Sequence, residues 1–517
     1  MAGMTSEERS YKNVGGSKNN IPANDEALWY LDAATEGDII GGGATKSRMI
    51  SYIGRINYSY MGKYLLTANV RRDGSSQFAD GYKWGVFPSF SAGWRISDEA
   101  FFKGLNLAAI NSIKLRGGWG QLGNQNIPAN SYITLLSGNN RDQYPFGTDE
   151  ELTQGYRPAN AGNPEIQWET HEQTNIGIDV AMFDSRLAFS GEYYIKNVRD
   201  MILGLPVPVY SGQPAPLVNS GTMQNKGLEL NLEYHKNNGE FTYSLGANIS
   251  FNKNKITSLS GGEPLAGGNF RAGNATLTEE GRAVSEFYGW KVEGVFQDQT
   301  EVDAANALAK ASGNGEYYQS AGTRAGDFKF VDIDGNSIIN NNDKTFIGSP
   351  HPDFFYGFNA NLSYKNFELN MLFQGVYGNE VFFADKYYSW NPNGSFNIVK
   401  KAYESAWNGK GSTNSMFSIS NDNSNNNTRI SDWYVEDGSY LRLKNIELGY
   451  NIPTHILSKI KISRAKIYVA AENLFTITAF PGLDPETGEN HGTLSLGLQQ
   501  YIYPVSRTFM GGIRLTL

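Results

Sequence analysis

Residues 355–374 read FYGFNANLSYKNFELNMLFQ. Taken in steps of two, one face carries Tyr356, Phe358, Ala360, Leu362 and Tyr364, and the other carries Gly357, Asn359, Asn361 and Ser363. A period of two marks a strand with one apolar face. Lys365 and Asn366 then form a two-residue turn. Beyond it Phe367, Leu369, Met371 and Phe373 face one way and Glu368, Asn370 and Gln374 the other. The stretch predicts a tight β-hairpin. Each arm is about ten residues long, as a tilted strand needs to be to cross the hydrocarbon layer of a bilayer. The hairpin reads as one repeat of a transmembrane antiparallel β-barrel.

The same alternation recurs along the chain. Met49–Tyr60 and Tyr64–Arg72 flank the turn Met61, Gly62, Lys63, and Phe87–Ile96 and Lys114–Gln121 flank a brief helical connection. Glu172–Met182 and Leu187–Asn197 meet across Phe183, Asp184, Ser185, and Gly227–His235 and Phe241–Asn252 flank the short KNNGE. Tyr440–Tyr450, Ala465–Phe475 and Thr508–Leu517 complete thirteen predicted strands. In Tyr440–Tyr450 the apolar positions 441 and 443 change phase to 446, 448 and 450, so a bulge is expected near Lys444 and Asn445. Short links alternate with long polar excursions, the asymmetry of outer-membrane barrels with tight periplasmic turns and long external loops. The strand-like FYGWKVEGVFQ at 287–297 would break this alternation if it crossed the membrane, so it is assigned to an external loop.

Composition narrows the reading further. The 517 residues include 58 Gly, 13% aromatics and only 19% charged residues, which suits strands, turns and aromatic girdles. No apolar run reaches 18 residues, so any span must be a closed set of strands, the other structure that satisfies its backbone in lipid. A net charge of −8 without a basic patch argues against nucleic acid. With no Cys there are no disulfides, zinc thiolates or thiol nucleophiles. Residues 1–45, rich in Gly, Asn and Ala and without a secretory signal, read as part of an extracellular loop, with 46–517 as the barrel. Bacterial single-chain barrels have even strand numbers, so thirteen implies further strands before this stretch.

Seven stretches resemble the SusC/RagA family of TonB-dependent outer-membrane transporters: SYIGRINYSYMGKYLLTANVRRDGSSQF, WGVFPSFSAGWRISDEAFF, NPEIQWETHEQTNIGIDVAMF, VNSGTMQNKGLELNL, IGSPHPDFFYGFNANLSYKNFELNMLFQG, YVEDGSYLRLKNIELGYNIP and AENLFTITAFPGLDPE. They occur in family order. The resemblance implies a 22-stranded barrel of which this chain holds the C-terminal thirteen strands, with plug, TonB box and about nine strands outside it. It also implies a location in the outer membrane of a Gram-negative, Bacteroidota-like cell. A SusD-like surface lipoprotein, the TonB complex reached through the absent N-terminal region, and an oligosaccharide or peptide substrate are the implied partners, besides outer-membrane lipid. The chain ends in Leu517 where the family usually has an aromatic residue.

Two local motifs stand out. Asp332, Asp334, Asn336, the Ile338 carbonyl, Asn340 and Asp343 fall at positions 1, 3, 5, 7, 9 and 12 of a loop that wraps a hard cation in oxygen. Position 6 is Ser337 rather than Gly, and position 12 is Asp rather than Glu. The ion expected is a structural Ca2+, with Mg2+ the alternative; an Asn/Asp turn that satisfies its own backbone needs no ion. FFADKYYSW sets Tyr387, Tyr388 and Trp390 beyond a strand end, where aromatic faces suit substrate rings as well as loop cores. No catalytic set or organic cofactor motif is present: DGSS at 73–76 lacks a nucleophile elbow and GGGA at 41–44 lacks the residues of a phosphate loop. The chain is expected to be a non-enzymatic nutrient importer. The alternative is a passive surface-binding or adhesion barrel without TonB coupling.

Overall fold

The structure is a computed structural model that describes every residue except 21–30, 35, 139–141, 149, 206, 209, 211, 213, 260–261, 393–395, 421, 458–461, 487–491 and 517. Fourteen strands hydrogen-bond side by side in chain order as one large antiparallel sheet. They are β1 (Ala2–Asn19), β2 (Glu36–Tyr60), β3 (Tyr64–Ser75), β4 (Trp84–Arg95), β5 (Ile110–Asn124), β6 (Glu169–Met182), β7 (Leu187–Arg199), β8 (Thr222–Lys236), β9 (Phe241–Ser258), β10 (Phe354–Tyr364), β11 (Phe367–Tyr377), β12 (Tyr440–Asn451), β13 (Arg464–Thr478) and β14 (Thr508–Thr516). No helix among the described residues is long and apolar enough to cross a membrane. Contacts divide the chain into two compact units: Met1–Trp94, Arg116–Thr174 and Lys196–Thr222 in the first, and Arg95–Leu115, Asn175–Ile195 and Met223–Leu517 in the second.

In the first unit, register puts like with like. β2 and β3 pair Tyr60 with Tyr64, Tyr58 with Leu66 and Ile56 with Ala68; β3 and β4 pair Tyr64 with Trp94, Leu66 with Ala92 and Ala68 with Phe90. These rows lie on one face and stay exposed, Ile56 at 72%. The opposite face is polar and knitted together: Arg55 donates to Asn69, Asn69 to Ser89, Thr67 to Asn57, and Arg71 to Asp73 and Ser51. Beyond the sheet Phe78, Phe87, Ile127, Ile166 and Trp168 bury one another, and the Trp168 indole donates to the Lys83 carbonyl.

The second unit repeats the arrangement. Across β10 to β14 the pairs Leu362–Leu369, Leu369–Leu448, Leu448–Val469 and Tyr450–Ile467, with Ile467–Ile513, lay one apolar row on one face. Val469, Ile477 and Ile513 on that row are each about 60% exposed or more, so it does not meet a second sheet in a dry core. A β-sandwich is thereby excluded and lipid is the fitting solvent. On the other face Lys466 binds Glu368 at 2.7 Å and Glu447 at 2.6 Å, and Gly449 leaves the room this lysine occupies.

Aromatic rings flank the apolar band at both ends. Tyr60, Tyr64 and Trp94 stack in series near the β2–β3 turn, and Phe367 packs on Tyr450 near the β10–β11 turn. At the far end Tyr52 stacks on Trp84, and Phe354 on Tyr377. From Tyr364 to Phe354 is ten residues, roughly 33 Å along a strand and about 25 Å when tilted by ~40°, the height of an outer-membrane apolar band.

Most of the expected local features are present. Tyr364 pairs with Phe367 across Lys365, which takes a φ of 54°. Lys444 is the extra residue of a bulge, since Phe373 faces Leu443 and Leu372 faces Asn445. The stretch 287–297 lies outside the large sheet, in a four-stranded and a two-stranded sheet of its own.

Two expectations are corrected. Residues 1–45 are not simply loop: β1 pairs with β2 from Ala2–Gly54 to Asn19–Glu36. β1 is exposed on both faces, so backbone hydrogen bonds hold it and no apolar period marks it in the sequence. The sheet consequently has fourteen strands rather than thirteen, which removes the parity argument.

Candidate functional site

The acidic loop hangs between two short strands of the excursion that links β9 to β10. Phe328–Phe330 pairs with Val292–Val295 before it, and Lys344–Gly348 with Glu286–Trp290 after it. Asn340 caps the turn Asn341–Asp343 through a reciprocal capping box with Asp343, and the Trp290 indole donates to the Asn340 carbonyl at 2.8 Å. Ser337 takes the left-handed φ of 68°, so the turn is made without glycine at that position.

Asp332, Asp334 and Asp343 converge, each offering an oxygen within 4.8 Å of the others. Asp332 accepts the N–H groups of Gly335, Asn336 and Ser337; Asp343, fully buried, accepts those of Ile333 and Asn340. Among the described residues none of the three pairs with a lysine or arginine. Burial, and then the charges of Glu293, Asp332 and Asp343, push the nearby Tyr318 phenol above its ordinary value. The side-chain oxygens of Asn336 and Asn340 accept the N–H groups of Ile338 and Asn342. The Asn336 amide nitrogen donates to Asp334. The three converging carboxylates are hard oxygen donors, the kind a Ca2+-type ion prefers.

The aromatic run divides. Phe382 is buried with Phe270, Phe287, Tyr434 and Leu498, and Phe383 lies against Phe480. Tyr387 packs edge-on to Phe270, and Trp390 joins a second core around Phe328 and Phe417, with Lys386 and Lys401 over its ring. Tyr388 belongs to neither core. Between Trp390 and Trp433 the Lys386 ammonium is buried; it donates to the Trp433 carbonyl and pairs with Glu436 at 2.5 Å.

An ion cluster was not foreseen from the sequence. Arg442, 2% exposed, binds Asp484 at 2.6 Å, Glu486 at 2.8 Å and the Thr476 hydroxyl at 2.8 Å, and Lys444 binds Glu486 at 2.6 Å. It ties the segment after β13 to β12. The one hint in the sequence is a pair of cations flanking the expected bulge.

An exposed apolar row between aromatic girdles, a polar opposite face and long loops on one side define a membrane-spanning β-barrel protein. The chain belongs to the TonB dependent receptor-like β-barrel family, whose model matches residues 11–370. It is 33% identical over 497 residues to TonB-dependent receptor P3 of Formosa agariphila, covering 91% of this chain and 46% of that protein. It is 30% identical over 487 residues to TonB-dependent receptor SusC of Bacteroides thetaiotaomicron, covering 91% of this chain and 44% of that one. A solved structure of the RagAB peptide transporter superposes with a TM-score of 0.78 at 22% identity, over 99% of this chain and 53% of that one. The SusC/RagA resemblance read from the motifs thus holds, and with it a place in the outer membrane. The chain spans about half the length of the curated relatives it matches.

Proposed function

We propose that this chain supplies barrel wall and external loops to an active SusC-type importer that takes up oligosaccharides or peptides. It works with a SusD-like surface lipoprotein and draws its energy from TonB, in the outer membrane of a Gram-negative, Bacteroidota-like cell. It catalyses no reaction. The observation that carries this reading is the similarity to TonB-dependent receptors over 91% of the chain, joined to strands with one polar face and one exposed apolar face in each unit.

The test is deletion of the gene in its host, followed by uptake of fluorescently labelled oligosaccharides and peptides, with and without functional TonB. Uptake of one class should be lost on deletion where TonB works and be absent already where it does not, and a surface lipoprotein should co-purify with the tagged protein. Unchanged uptake after deletion would refute the importer. Surface binding that persists without TonB and feeds no uptake would indicate the passive barrel.

We also propose that Asp332, Asp334 and Asp343 hold a structural Ca2+ that staples the loop. Two unit charges 4.8 Å apart repel by about 3 kcal/mol at an effective dielectric near 20, a strain a divalent ion removes. Chelation should therefore lower the melting temperature and open 332–343 to protease, with calcium restoring both. Protection indifferent to chelator would rule the ion out.

A further inference from the structure

Among the aromatic residues of 382–390, Tyr388 is a member of neither core, although its ring stands edge-on to that of Tyr387 at 5.2 Å and 70°. Its ring lies 5.3 Å from that of Tyr501 at 40° and 6.0 Å from that of Phe396 at 75°. The three residues come from separate points of the chain: the short helix Lys386–Ser389, position 396, and the segment just after the strand Leu498–Gln499. Phe396 is 63% and Tyr501 69% exposed. Exposed apolar faces brought together from 388–396 and from 501, more than a hundred residues on, mark a binding surface more often than a packing accident.

The backbone adds a second observation. Tyr501 has a φ of 55°, the left-handed region that L side chains disfavour, and its N–H donates to the Asp385 carboxylate at 3.0 Å. A strained residue persists only where its surroundings over-determine it, and such residues cluster at ligand sites. Here the strain places an exposed ring, which packing alone does not require. Polar groups accompany the rings: the Tyr388 phenol hydrogen-bonds that of Tyr501 and, more weakly, the Gln500 side chain, with Arg271 nearby.

We propose that Tyr388, Phe396 and Tyr501 form a stacking platform for a pyranose ring of a neutral oligosaccharide. The proposal rests on the importer reading and selects the saccharide branch of it. A pyranose presents an apolar C–H face to aromatic rings and hydroxyls to the amide and phenols around them. An aromatic peptide side chain needs an enclosing apolar pocket, and this platform is open. A protein partner would need some 800 Å² on each side, far more than three rings offer.

The test uses the full-length protein purified from outer membranes in detergent, titrated with maltoheptaose, xylohexaose, laminarihexaose and the peptide Gly-Tyr-Gly. Tyr501→Gly removes the ring and relieves the left-handed strain, so its melting temperature should equal or exceed that of the parent. Its affinity for at least one saccharide should fall about tenfold, the scale of one aromatic contact. Tyr501→Phe should stay within twofold. Three results would each overturn the proposal: no saccharide binds the parent, Tyr501→Gly binds saccharides as the parent does, or only the peptide is weakened. If gene deletion abolishes saccharide uptake while Tyr501→Gly binds normally, the platform is wrong and the importer stands. Uptake indifferent to the deletion removes the importer reading itself.

Discussion

Deleting one residue from β12 separates a bulge from a regular strand. Lys444 is the extra residue, and without it the strand reads Leu441, Arg442, Leu443, Asn445, Ile446, with its alternation intact. The cost is the Lys444–Glu486 pair, half-exposed and worth about 1 kcal/mol at most, and a changed fit opposite Asn473 and Leu474. Deleting Glu447, three residues on, shifts the phase of the remainder of the strand. Leu448 and Tyr450 turn to the polar face, while Gly449 and Asn451 take their places against lipid. At about 1.5–3 kcal/mol for each large side chain the penalty is about 3–6 kcal/mol, before the lost Glu447–Lys466 pair is added. Folded fraction is read from electrophoretic mobility before and after heating, and stability from the urea midpoint. The Lys444 deletion should insert and migrate as the parent does, and the Glu447 deletion should be largely unfolded. Equal behaviour, or the reverse order, would refute both the bulge and the two-faced sheet.

Three further outcomes are expected. Phe358→Arg, on the apolar row, should cost about 2–4 kcal/mol near the bilayer centre, whereas Asn361→Arg on the polar face should cost little; urea midpoints in micelles distinguish them. Arg442→Met leaves Asp484 and Glu486 without their main cation and should destabilise by about 3–5 kcal/mol, with faster proteolysis of the segment after β13, unless Asp484→Asn and Glu486→Gln are added. Burial lowers the Lys386 pKa against the opposing pull of Glu436. The unfolded chain then holds more protons between that lowered value and the ordinary 10.5, so loop stability rises with pH across this window; in Lys386→Met the slope should vanish from a series of melting curves.

Strands are legible in a sequence to the extent that side chains differ across their two faces. In β9 to β14 one face meets lipid and the other a polar interior, so Tyr364, Leu369, Leu448 and Ile467 advertise the strands, and the bulge shows as a single break in phase. β1 escapes notice because its run of Gly, Ser, Asn and charged residues shows no alternation of apolar and polar positions. The loop cores escape for a different reason. Phe270, Phe382, Tyr434 and Leu498 lie up to 228 residues apart and meet only through the fold. The six positions of the acidic motif are plain in the spacing, yet the convergence of Asp332, Asp334 and Asp343 depends on how the loop folds its own N–H groups onto Asp332 and Asp343. Arg442 gives no sign of partners some 42 residues away.

The polar face of the wall leaves little slack. A methyl group on Gly246 would sit 2.3 Å from the Asn359 amide oxygen, and one on Gly357 3.0 Å from that of Asn248. Each amide occupies the hollow its glycine provides, so a side chain added at the glycine must push the facing amide aside. Change in sequence is therefore accommodated more easily in the long excursions, where insertions cost little, than along the staves between them.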